Sequence, residues 1–333
     1  MKNFLFLSIL CSLMAINVTT LAEITQVNDL FLFATGVNQA DSNALVIFDV
    51  DHVLIMPTDE YSLNRNPYRK KLWQNIKNKY GAEEASVLRS IAVSSAKWQL
   101  VDPSIISTLS HLKSKNIPTI ALTSLTTGKV GIIEKMEDLR IRELKSVGIS
   151  FASLSPLQGE LSITELASAH GTPMLKEGII FTAENDKATV LEYILRYKSY
   201  YPKTIIFIDD QLTNLEALEK LCTRLNIKFY GFHYKAVSLM TTYVIDEQLE
   251  KLRFQILEKE YRWLSYKEMA EKMEAEINVI VSELNDRYED LTEILHEQAI
   301  QLIQQSTGLN ITNDSGEVLP FHTEGFFGNY FYQ

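Results

Sequence analysis

Two aspartates follow a short apolar run near the start of the chain, and their spacing suits phosphate chemistry. The segment VIFDVD places Asp49 and Asp51 two residues apart. Carboxylates arranged in this way can share one divalent cation and one phosphate group, because such cations prefer oxygen ligands. The first carboxylate could attack phosphorus, while the second could protonate the leaving oxygen and then activate water. Two acidic turn residues that simply end a strand would give the same pattern, so the pair needs support from elsewhere.

Three further positions along the chain carry groups that fit the same chemistry. Thr123 and Ser124 end a second apolar run, where a hydroxyl and the next backbone N–H can hold phosphate oxygens. Lys187 opens a predicted helix, where a cation and the helix N-terminus both favour an anion. Asp209 and Asp210 end a third apolar run, and a bound metal would explain adjacent carboxylates that otherwise repel each other. Thr123 or Lys187 alone is commonplace, but the ordered set is much more specific.

The runs before these residues predict the elements that position them. They are apolar on successive residues rather than on alternate ones, which is typical of parallel strands covered on both faces. Helical patterns lie between them, so the alternation predicts an α/β fold with a doubly wound parallel sheet. The predicted strands are 44–48, 119–122, 178–182, 204–208 and 228–232, and the predicted helices are 105–115, 134–146, 188–197 and 214–225. Ligands of such sheets bind outside the carboxyl ends of the strands, where the groups above fall.

The first 22 residues are predicted to be a signal peptide. Lys2 gives a positive start, a run of about 15 mainly apolar residues follows, and Thr20 and Ala22 suit a cleavage site. The run is shorter than the ~20 residues that a membrane-spanning helix needs. We therefore expect an exported protein, periplasmic or secreted, with no stable membrane anchor after cleavage. Removal of the leader takes Cys11 away, and we expect the remaining Cys222 to be a buried helical residue.

The predicted core domain spans residues 23–243, and two segments stand apart from its α/β sheet. A mainly helical insert at about 57–99, here called the cap insert, follows the first predicted strand and could cover the site as a small cap. A helical extension spans 244–308, in which Ser265 and Glu268 fit a capping box that opens a long helix. From Met269 onwards its apolar residues are spaced 4, 4 and 3, a period that keeps the stripe nearly straight. The stripe indicates that the helix packs on the core or in a helical hairpin. Alternatively, residues 266–305 form an arm that binds another protein or self-associates. The tail at 309–333 is polar and aromatic.

The four motifs, in this order, resemble those of the haloacid dehalogenase superfamily of phosphohydrolases. The resemblance spans roughly residues 44–235 and implies a Rossmann-like HAD core. Within that superfamily, the leader, the DDQLTNLEAL stretch from Asp209, the GFHY sequence at 231–234 and the helical C-terminus are similar to an exported bacterial family known only as a domain of unknown function. The resemblance therefore implies a class of reaction but no particular substrate.

Carried over to matching positions, the resemblance makes Asp49 the nucleophile that accepts the phosphoryl group and Asp51 the general acid/base. Thr123 and the Ser124 N–H would bind the substrate phosphate, and Lys187 would hold Asp49 and the phosphoryl group in register. The implied cofactor is Mg²⁺, with Asp49, the Asp51 backbone carbonyl, Asp209 and Asp210 around it. An Asp at position 51 favours phosphoryl transfer over dehalogenation, because it can serve the leaving group.

Several residues are open to two interpretations. The last motif of the superfamily has an adjacent form, which Asp209 and Asp210 would satisfy, and a spaced form, in which Asn214 would replace the second acid. We favour the adjacent form. We interpret His52 as a partly exposed turn residue, although it could contact substrate or metal. Basic residues of the cap insert could attract a phosphate ester or be ordinary surface charges; they are Arg65, Arg69, Lys70 and Lys71. The charged residues of the 134–142 segment, Arg140 among them, are interpreted as solvated helix charges.

Composition limits the remaining function classes. The chain has 333 residues, 46% of them hydrophobic and 22% charged, which is ordinary for a globular protein. A net charge of −10 without a dense Lys/Arg cluster argues against nucleic-acid binding. The expected function is an exported Mg²⁺-dependent phosphatase that acts on small phosphorylated substrates through an aspartyl-phosphate. The alternative is a binding or effector protein that uses the core as a scaffold and the helical arm as its partner surface.

Overall fold

The computed structural model describes residues 22–38, 40–59, 68–240 and 245–307. The predicted signal peptide, apart from its last residue, and the predicted tail at 309–333 lie outside the described residues, as does Arg65. The chain divides into two compact units, Met1–Trp263 and Leu264–Gln333. Each unit is described by itself.

The first unit combines ten strands, eight α-helices and a short 3-10 helix (Thr164–Leu166) among its described residues. The strands are β1 (Ala22–Val27), β2 (Ala44–Phe48), β3 (Ile55–Pro57), β4 (Trp98–Leu100), β5 (Thr119–Thr123), β6 (Leu161–Ser162), β7 (Met174–Lys176), β8 (Ile179–Phe181), β9 (Thr204–Asp209) and β10 (Lys228–Tyr234). The helices are α1 (Phe31–Asn38), α2 (Arg69–Ser94), α3 (Ser104–Ser114), α4 (Met136–Ser146), α5 (Lys187–Tyr197), α6 (Leu212–Leu225), α7 (Ala236–Leu239) and α8 (Glu247–Glu260).

Eight of the strands form one sheet in the order β1-β10-β9-β2-β5-β8-β7-β6. The six strands from β1 to β8 in this order pair in parallel, whereas β7 and β6 add an antiparallel edge. The predicted α/β class with a mainly parallel sheet is confirmed, and all five predicted strands and four predicted helices are present. The strand β1, the helix α1 and the β6–β7 hairpin were not predicted.

The central strands are covered on both faces, as their apolar runs predicted. In β2, Val46 and Phe48 join one hydrophobic cluster, while Leu45 and Ile47 join a second. Successive side chains of a strand point to opposite faces, so one unbroken apolar run serves both clusters. Cys222 of α6 is fully buried in the second cluster, as expected. Packing on both faces of the sheet holds in place the strands whose carboxyl ends carry the polar motifs.

The cap insert is mainly helical, as predicted, and is joined to the core through a small ribbon. Strands β3 and β4 pair in antiparallel fashion and flank the segment that contains α2. Gly81, with φ 86°, interrupts α2 with a backbone conformation that suits glycine. Leu72 and Ile76 of α2 pack in a separate hydrophobic cluster with residues of α8, including Leu257. The helical extension is thus divided, because α8 belongs to the unit that contains the cap insert.

The second unit contains α9 (Tyr266–Thr307), a helix of 42 residues. The predicted capping box at its start is present. The Ser265 N–H donates to Glu268 Oε2 at 2.7 Å, and the Glu268 N–H donates to Ser265 Oγ at 3.2 Å. Large side chains of the predicted stripe are exposed on α9, for example Leu284 at 58% and Leu291 at 57%. No helix in the described part of the chain is both long enough and apolar enough to cross a bilayer.

Candidate active site at the carboxyl ends of the central strands

The order of the strands brings the predicted motifs to one edge of the sheet. From β2 the chain proceeds to β5 and β8 on one side, then returns to β9 and β10 on the other. The carboxyl ends of β2, β5 and β9 therefore lie side by side at the point where the order reverses, which is where such sheets bind ligands. Asp49 follows β2, Thr123 ends β5 and Asp209 ends β9. The Asp49 N–H donates to the Ile208 carbonyl at 3.0 Å, which ties the two strand ends together.

Lys187 bridges two of these carboxylates from the first turn of α5. Its Nζ donates to Asp49 Oδ1 at 2.6 Å and to Asp209 Oδ2 at 2.7 Å. All three side chains are buried. Asp186 caps the same helix by accepting the Thr189 N–H at 2.8 Å, and so fixes where α5 begins. The cluster of Lys187, Asp49 and Asp209 is called the strand-end cluster below.

Burial raises the pKa of both carboxyl groups in the strand-end cluster. The pKa of Asp49 lies well above its ordinary value, because burial and the charge of Asp209 together outweigh Lys187. The pKa of Asp209 is also raised by burial, although Lys187 and other hydrogen bonds oppose the shift. Burial would lower the pKa of Lys187, but the charges of Asp49 and Asp209 outweigh it and raise that pKa. Burial thus disfavours the charged form of both carboxyl groups, and Lys187 offsets only part of that effect.

Three carboxylates of this edge fit a divalent cation. Asp49, Asp209 and Asp210 each offer an oxygen, and these oxygens lie within 4.8 Å of one another. Hard cations such as Mg²⁺ take ligand sets of this kind, and a cation would offset the charge that raises the pKa of Asp49. Asn214 instead donates its amide N–H groups to both oxygens of Asp209, each at 3.0 Å. Asn214 thus orients Asp209, while Asp209 and Asp210 both belong to the group of carboxylates.

The side chain of Asp51 is held by Arg140, a residue whose environment was predicted incorrectly. Arg140 of α4 donates from Nη1 to Asp51 Oδ1 at 2.8 Å, and Arg140 is only 5% exposed. Its guanidinium lies over the Trp98 ring at 4.3 Å, and Nε lies 3.1 Å from Glu143 Oε2. The interpretation of Arg140 as a solvated helix charge is therefore wrong. The reason is that Arg140 shares a helix face with the buried residues at 136, 137, 141 and 144.

Two histidines bracket Asp210. His52, in a left-handed conformation with φ 65°, places Nδ1 3.5 Å from Asp210 Oδ2. His233, in the GFHY sequence of β10, places Nε2 3.1 Å from the Asp210 backbone carbonyl. Burial would raise the pKa of Asp210, but hydrogen bonds with His52 and Gln211 outweigh it and lower that pKa. Asp210 is thus held ionised beside the strand-end cluster.

The match to the family described as "Protein of unknown function (DUF2608)" covers residues 23–271 of this chain. The chain belongs to the DUF2608 family. The match includes the α/β core, α8 and the first residues of the second unit. The family description assigns no reaction, so the chemistry of the site has to be argued from its residues.

Relatives of this DUF2608 chain occur in species of Rickettsia and Chlamydia. An uncharacterized protein of Rickettsia bellii is 24% identical over 211 residues, which cover 59% of this chain and 70% of that protein. A protein of Chlamydia pneumoniae named "Putative outer membrane protein" is 21% identical over 246 residues, covering 72% and 86%. A haloacid dehalogenase-like hydrolase from Streptococcus pneumoniae is 14% identical with a TM-score of 0.27, covering 56% of this chain and 92% of that one.

The DUF2608 chain has a cavity of about 1020 Å³ next to the site. Asp51, His52 and Ser124 line it from the core, and Arg69 and Arg89 line it from the cap insert. The cap insert therefore covers this approach to the site. Ser124 is exposed to the cavity side, whereas Thr123 is buried and its Oγ1 accepts the Leu125 N–H at 3.3 Å.

The structure brings together most residues that the sequence singled out. Asp49, Lys187, Asp209 and Asp210 form one connected group, while Asp51 and Ser124 meet at the cavity beside it. Sequence reasoning overlooked the contacts of Arg140 and His233. The helical spacing of Arg140 relative to Ile141 and Leu144, and the position of His233 at the end of a predicted strand, were the available signals.

Proposed function

We propose that this DUF2608 protein is an exported, Mg²⁺-dependent phosphatase that hydrolyses phosphomonoesters through an aspartyl-phosphate on Asp49. The observation that carries the proposal is the strand-end cluster, in which Lys187 contacts both Asp49 and Asp209 at the reversal point of the sheet. The carboxylates of Asp49, Asp209 and Asp210 would hold the ion. A bound Mg²⁺ would offset the repulsion between these carboxylates and an incoming phosphate.

The first half of the reaction transfers the phosphoryl group to the protein. A carboxylate oxygen of Asp49 forms a bond to phosphorus while the bond from phosphorus to the ester oxygen breaks. Asp51 gives a proton to that oxygen, which leaves as an alcohol. Lys187 stabilises the negative charge around the transferring group, and the Thr123 hydroxyl and Ser124 N–H hold its oxygens.

The second half returns the protein to its starting state. Asp51, now a carboxylate, takes a proton from a water molecule whose oxygen attacks phosphorus. The bond between phosphorus and Asp49 breaks, inorganic phosphate leaves, and the Asp49 carboxylate is regenerated. Asp51 suits both steps because it lines the cavity, where a leaving alcohol departs and water enters.

The test is hydrolysis of 4-nitrophenyl phosphate by residues 23–333, with Mg²⁺ and with a chelator. We expect Mg²⁺-dependent turnover that Asp49→Asn reduces by at least about 10³-fold, as removal of a nucleophile does. Asp210→Asn should raise the Mg²⁺ concentration needed for half-maximal turnover. Glu216→Gln, which changes an exposed acid of α6, is the matched control and should act like wild type. Full activity of Asp49→Asn would exclude the mechanism.

Export is part of the same proposal. Its support is the predicted leader of 22 residues together with two chlamydial relatives, each of which is named "Putative outer membrane protein". Fractionation of a bacterium that expresses the full chain, followed by N-terminal sequencing, tests it. We expect a chain that begins at Glu23 outside the cytoplasm. A cytoplasmic chain that retains Met1 would contradict export.

A second candidate function, protein binding, is favoured by α9. This helix exposes large apolar side chains, among them Ile277, Leu284 and Leu291. Its 42 residues include ten Asp or Glu but three Lys or Arg. Like charges would repel in a pair of identical helices, so we propose a basic amphipathic segment of another protein as the partner, rather than self-association.

Fluorescence titration of the full mature chain with a synthetic Lys/Leu amphipathic helix tests this candidate. Binding should weaken with salt and be lost when Ile277, Leu284 and Leu291 are all changed to lysine. Lysines at Asn278, Asn285 and Gln298 make the same change in charge but keep the apolar stripe, and serve as the control. Equal loss in both triple variants would show charge attraction alone, and light scattering would reveal self-association instead.

A further inference from the structure

The cavity beside Asp51 and Ser124 is larger than a phosphate group requires. Its volume of about 1020 Å³ lies at the upper end of the range of roughly 300–1,000 Å³ for small-molecule sites. One wall comes from the core and the other from the cap insert. A phosphate ester held at the strand ends would therefore extend its organic part between these walls.

The carboxylates of the cavity already have partners. Six Lys or Arg and four Asp or Glu line it. Arg140 binds Asp51 at 2.8 Å, and the Gly128 N–H donates to Glu137 at 2.8 Å. Lys176 lies 3.5 Å from Glu160, and the Thr126 hydroxyl donates to Glu184 at 3.4 Å. Asp51 and Glu160 thus face cations, while Glu137 and Glu184 accept hydrogen bonds from neutral groups.

Two of the cations that line the cavity have no such partner. Lys129 and Lys176 form ion pairs, with Glu134 at 2.6 Å and with Asp138 at 2.8 Å. Arg89 of α2 and Lys135, directly before α4, have no ion pair anywhere in the part of the chain that the structure describes. Both side chains are exposed and line the cavity, so their charged groups are open to a ligand there.

We infer that the cavity selects phosphate esters that carry a second anionic group, a carboxylate or a phosphate, and that Arg89 and Lys135 contact this group. The inference rests on the proposed phosphatase function, since it places the ester phosphate at the strand-end cluster. Arg89 belongs to the cap insert and Lys135 to the core, so the second anion would be held between the two walls. Charge-assisted hydrogen bonds to an anion are stronger than those to a neutral group.

A matched set of three esters tests the inference in the mature chain. These are 4-(carboxymethyl)phenyl phosphate, its neutral carboxamide, and the analogue with a phosphonomethyl group in place of the carboxymethyl group. Wild type should have a kcat/KM about tenfold higher for an anionic ester than for the amide, the value of one charge-assisted hydrogen bond. The ratio between the two anionic esters distinguishes a carboxylate from a second phosphate.

Arg89→Met and Lys135→Met should each remove most of this preference through KM. They should leave turnover of the carboxamide within about twofold of wild type, because that ester gains little from either cation. Lys220→Met, which removes an exposed cation of α6, is the control and should keep the preference. Equal kcat/KM for all three esters in wild type, or equal losses for all three in the variants, would overturn the inference while leaving the phosphatase intact.

Calorimetric titration of Asp49→Asn with the same esters separates this inference from the proposed function. If wild type turns over none of the esters, yet Asp49→Asn binds the anionic esters about tenfold more tightly than the amide, the anion site stands and the phosphatase does not. If all three esters bind equally, or none binds, the anion site is wrong.

Discussion

Two buried clusters in this protein each combine one basic side chain with two carboxylates, and they differ in how completely the charges are satisfied. The strand-end cluster joins Lys187 to Asp49 and Asp209. The second, called the cap cluster, joins Arg253 of α8 to Asp59 and Glu250. Both lie in the unit that ends at Trp263. Composition alone would not tell which of them is a functional site.

The cap cluster surrounds its carboxylates with donors. Arg253 donates to both oxygens of Asp59, at 3.3 and 3.2 Å, and lies 3.4 Å from Glu250. Trp263 Nε1 donates to Asp59 Oδ2 at 3.2 Å, and its ring lies 4.9 Å from the guanidinium. A planar guanidinium suits a carboxylate in this paired geometry. The cluster links α8 to the segment after β3, so its role is to stabilise the fold.

The strand-end cluster leaves charge uncompensated. The ammonium group of Lys187 contacts one oxygen of each carboxylate, and burial still raises the pKa of Asp49 well above its ordinary value. Asp210 adds a third carboxylate within reach of the same ion. Such incomplete compensation is costly in a structure without a ligand, but it suits a site that binds a cation and a phosphate. The third carboxylate and the raised pKa of Asp49, rather than burial itself, separate the two clusters.

Lys187→Met tests the functional half of this comparison and should have the largest effect. We expect a loss of turnover of about 10³-fold, or about 4 kcal/mol, because the group that stabilises the transferring phosphoryl is gone. Hydrolysis of 4-nitrophenyl phosphate at saturating Mg²⁺ measures the loss, with circular dichroism to establish that the variant is folded. Lys220→Met is the control. A folded Lys187→Met variant with unchanged turnover would place the strand-end cluster in the same structural class as the cap cluster.

Arg253→Met tests the structural half. The substitution keeps much of the apolar stem but leaves Asp59 and Glu250 without their cation, so we expect about 3 kcal/mol of lost stability. Denaturant unfolding measures this loss, and turnover per folded molecule should stay within about twofold. Lys251→Met, on the exposed side of the same helix, should change stability by less than about 0.5 kcal/mol. A stable Arg253→Met variant that had lost turnover would give the cap cluster a functional role.

The sequence predicted the core because the core follows local rules. Strands such as β2 and β9 are continuous apolar runs, and the polar residues that follow them meet at one edge in any parallel sheet. Asp49 and Asp209 could therefore be placed together without knowledge of the fold. The contact of Lys187 with Asp49 was implied by the family resemblance, whereas its contact with Asp209 was not predicted, since nothing local to α5 specifies it.

The remaining features depend on packing between distant segments. The β1 strand reads AEITQV and becomes a strand through its parallel pairing with β10, while β6 has two residues and is defined by pairing alone. The cap insert lies over the site because of tertiary packing, so the meeting of Arg89 and Ser124 at one cavity has no local signal. Arg140 differs, since its spacing from Ile141 and Leu144 placed it on the buried face of α4, but its contact with Asp51 had no local signal.

Arg140 combines features of both clusters, and its substitution should have the smallest effect of the three. It is buried and stacked on Trp98 as Arg253 is on Trp263, but its carboxylate partner Asp51 lines the cavity. We infer that Arg140 is a positioning residue that holds Asp51 toward the leaving oxygen. Arg140→Gln should then lower turnover of phenyl phosphate by about tenfold, because that poor leaving group needs a well-placed proton donor.

The ratio between two esters separates positioning from a general structural loss. Turnover of 4-nitrophenyl phosphate should fall by only about twofold in Arg140→Gln, because its leaving group departs with little help from a proton. Arg142→Gln, which changes an exposed arginine of the same helix, is the control and should leave both rates unchanged. If Arg140→Gln lowered both rates equally, Arg140 would belong with Arg253 as a structural cation. If the rate with phenyl phosphate falls more than the rate with 4-nitrophenyl phosphate, Arg140 supports both the fold and the chemistry. It can do both because it is buried while Asp51, the carboxylate that it holds, lines the cavity.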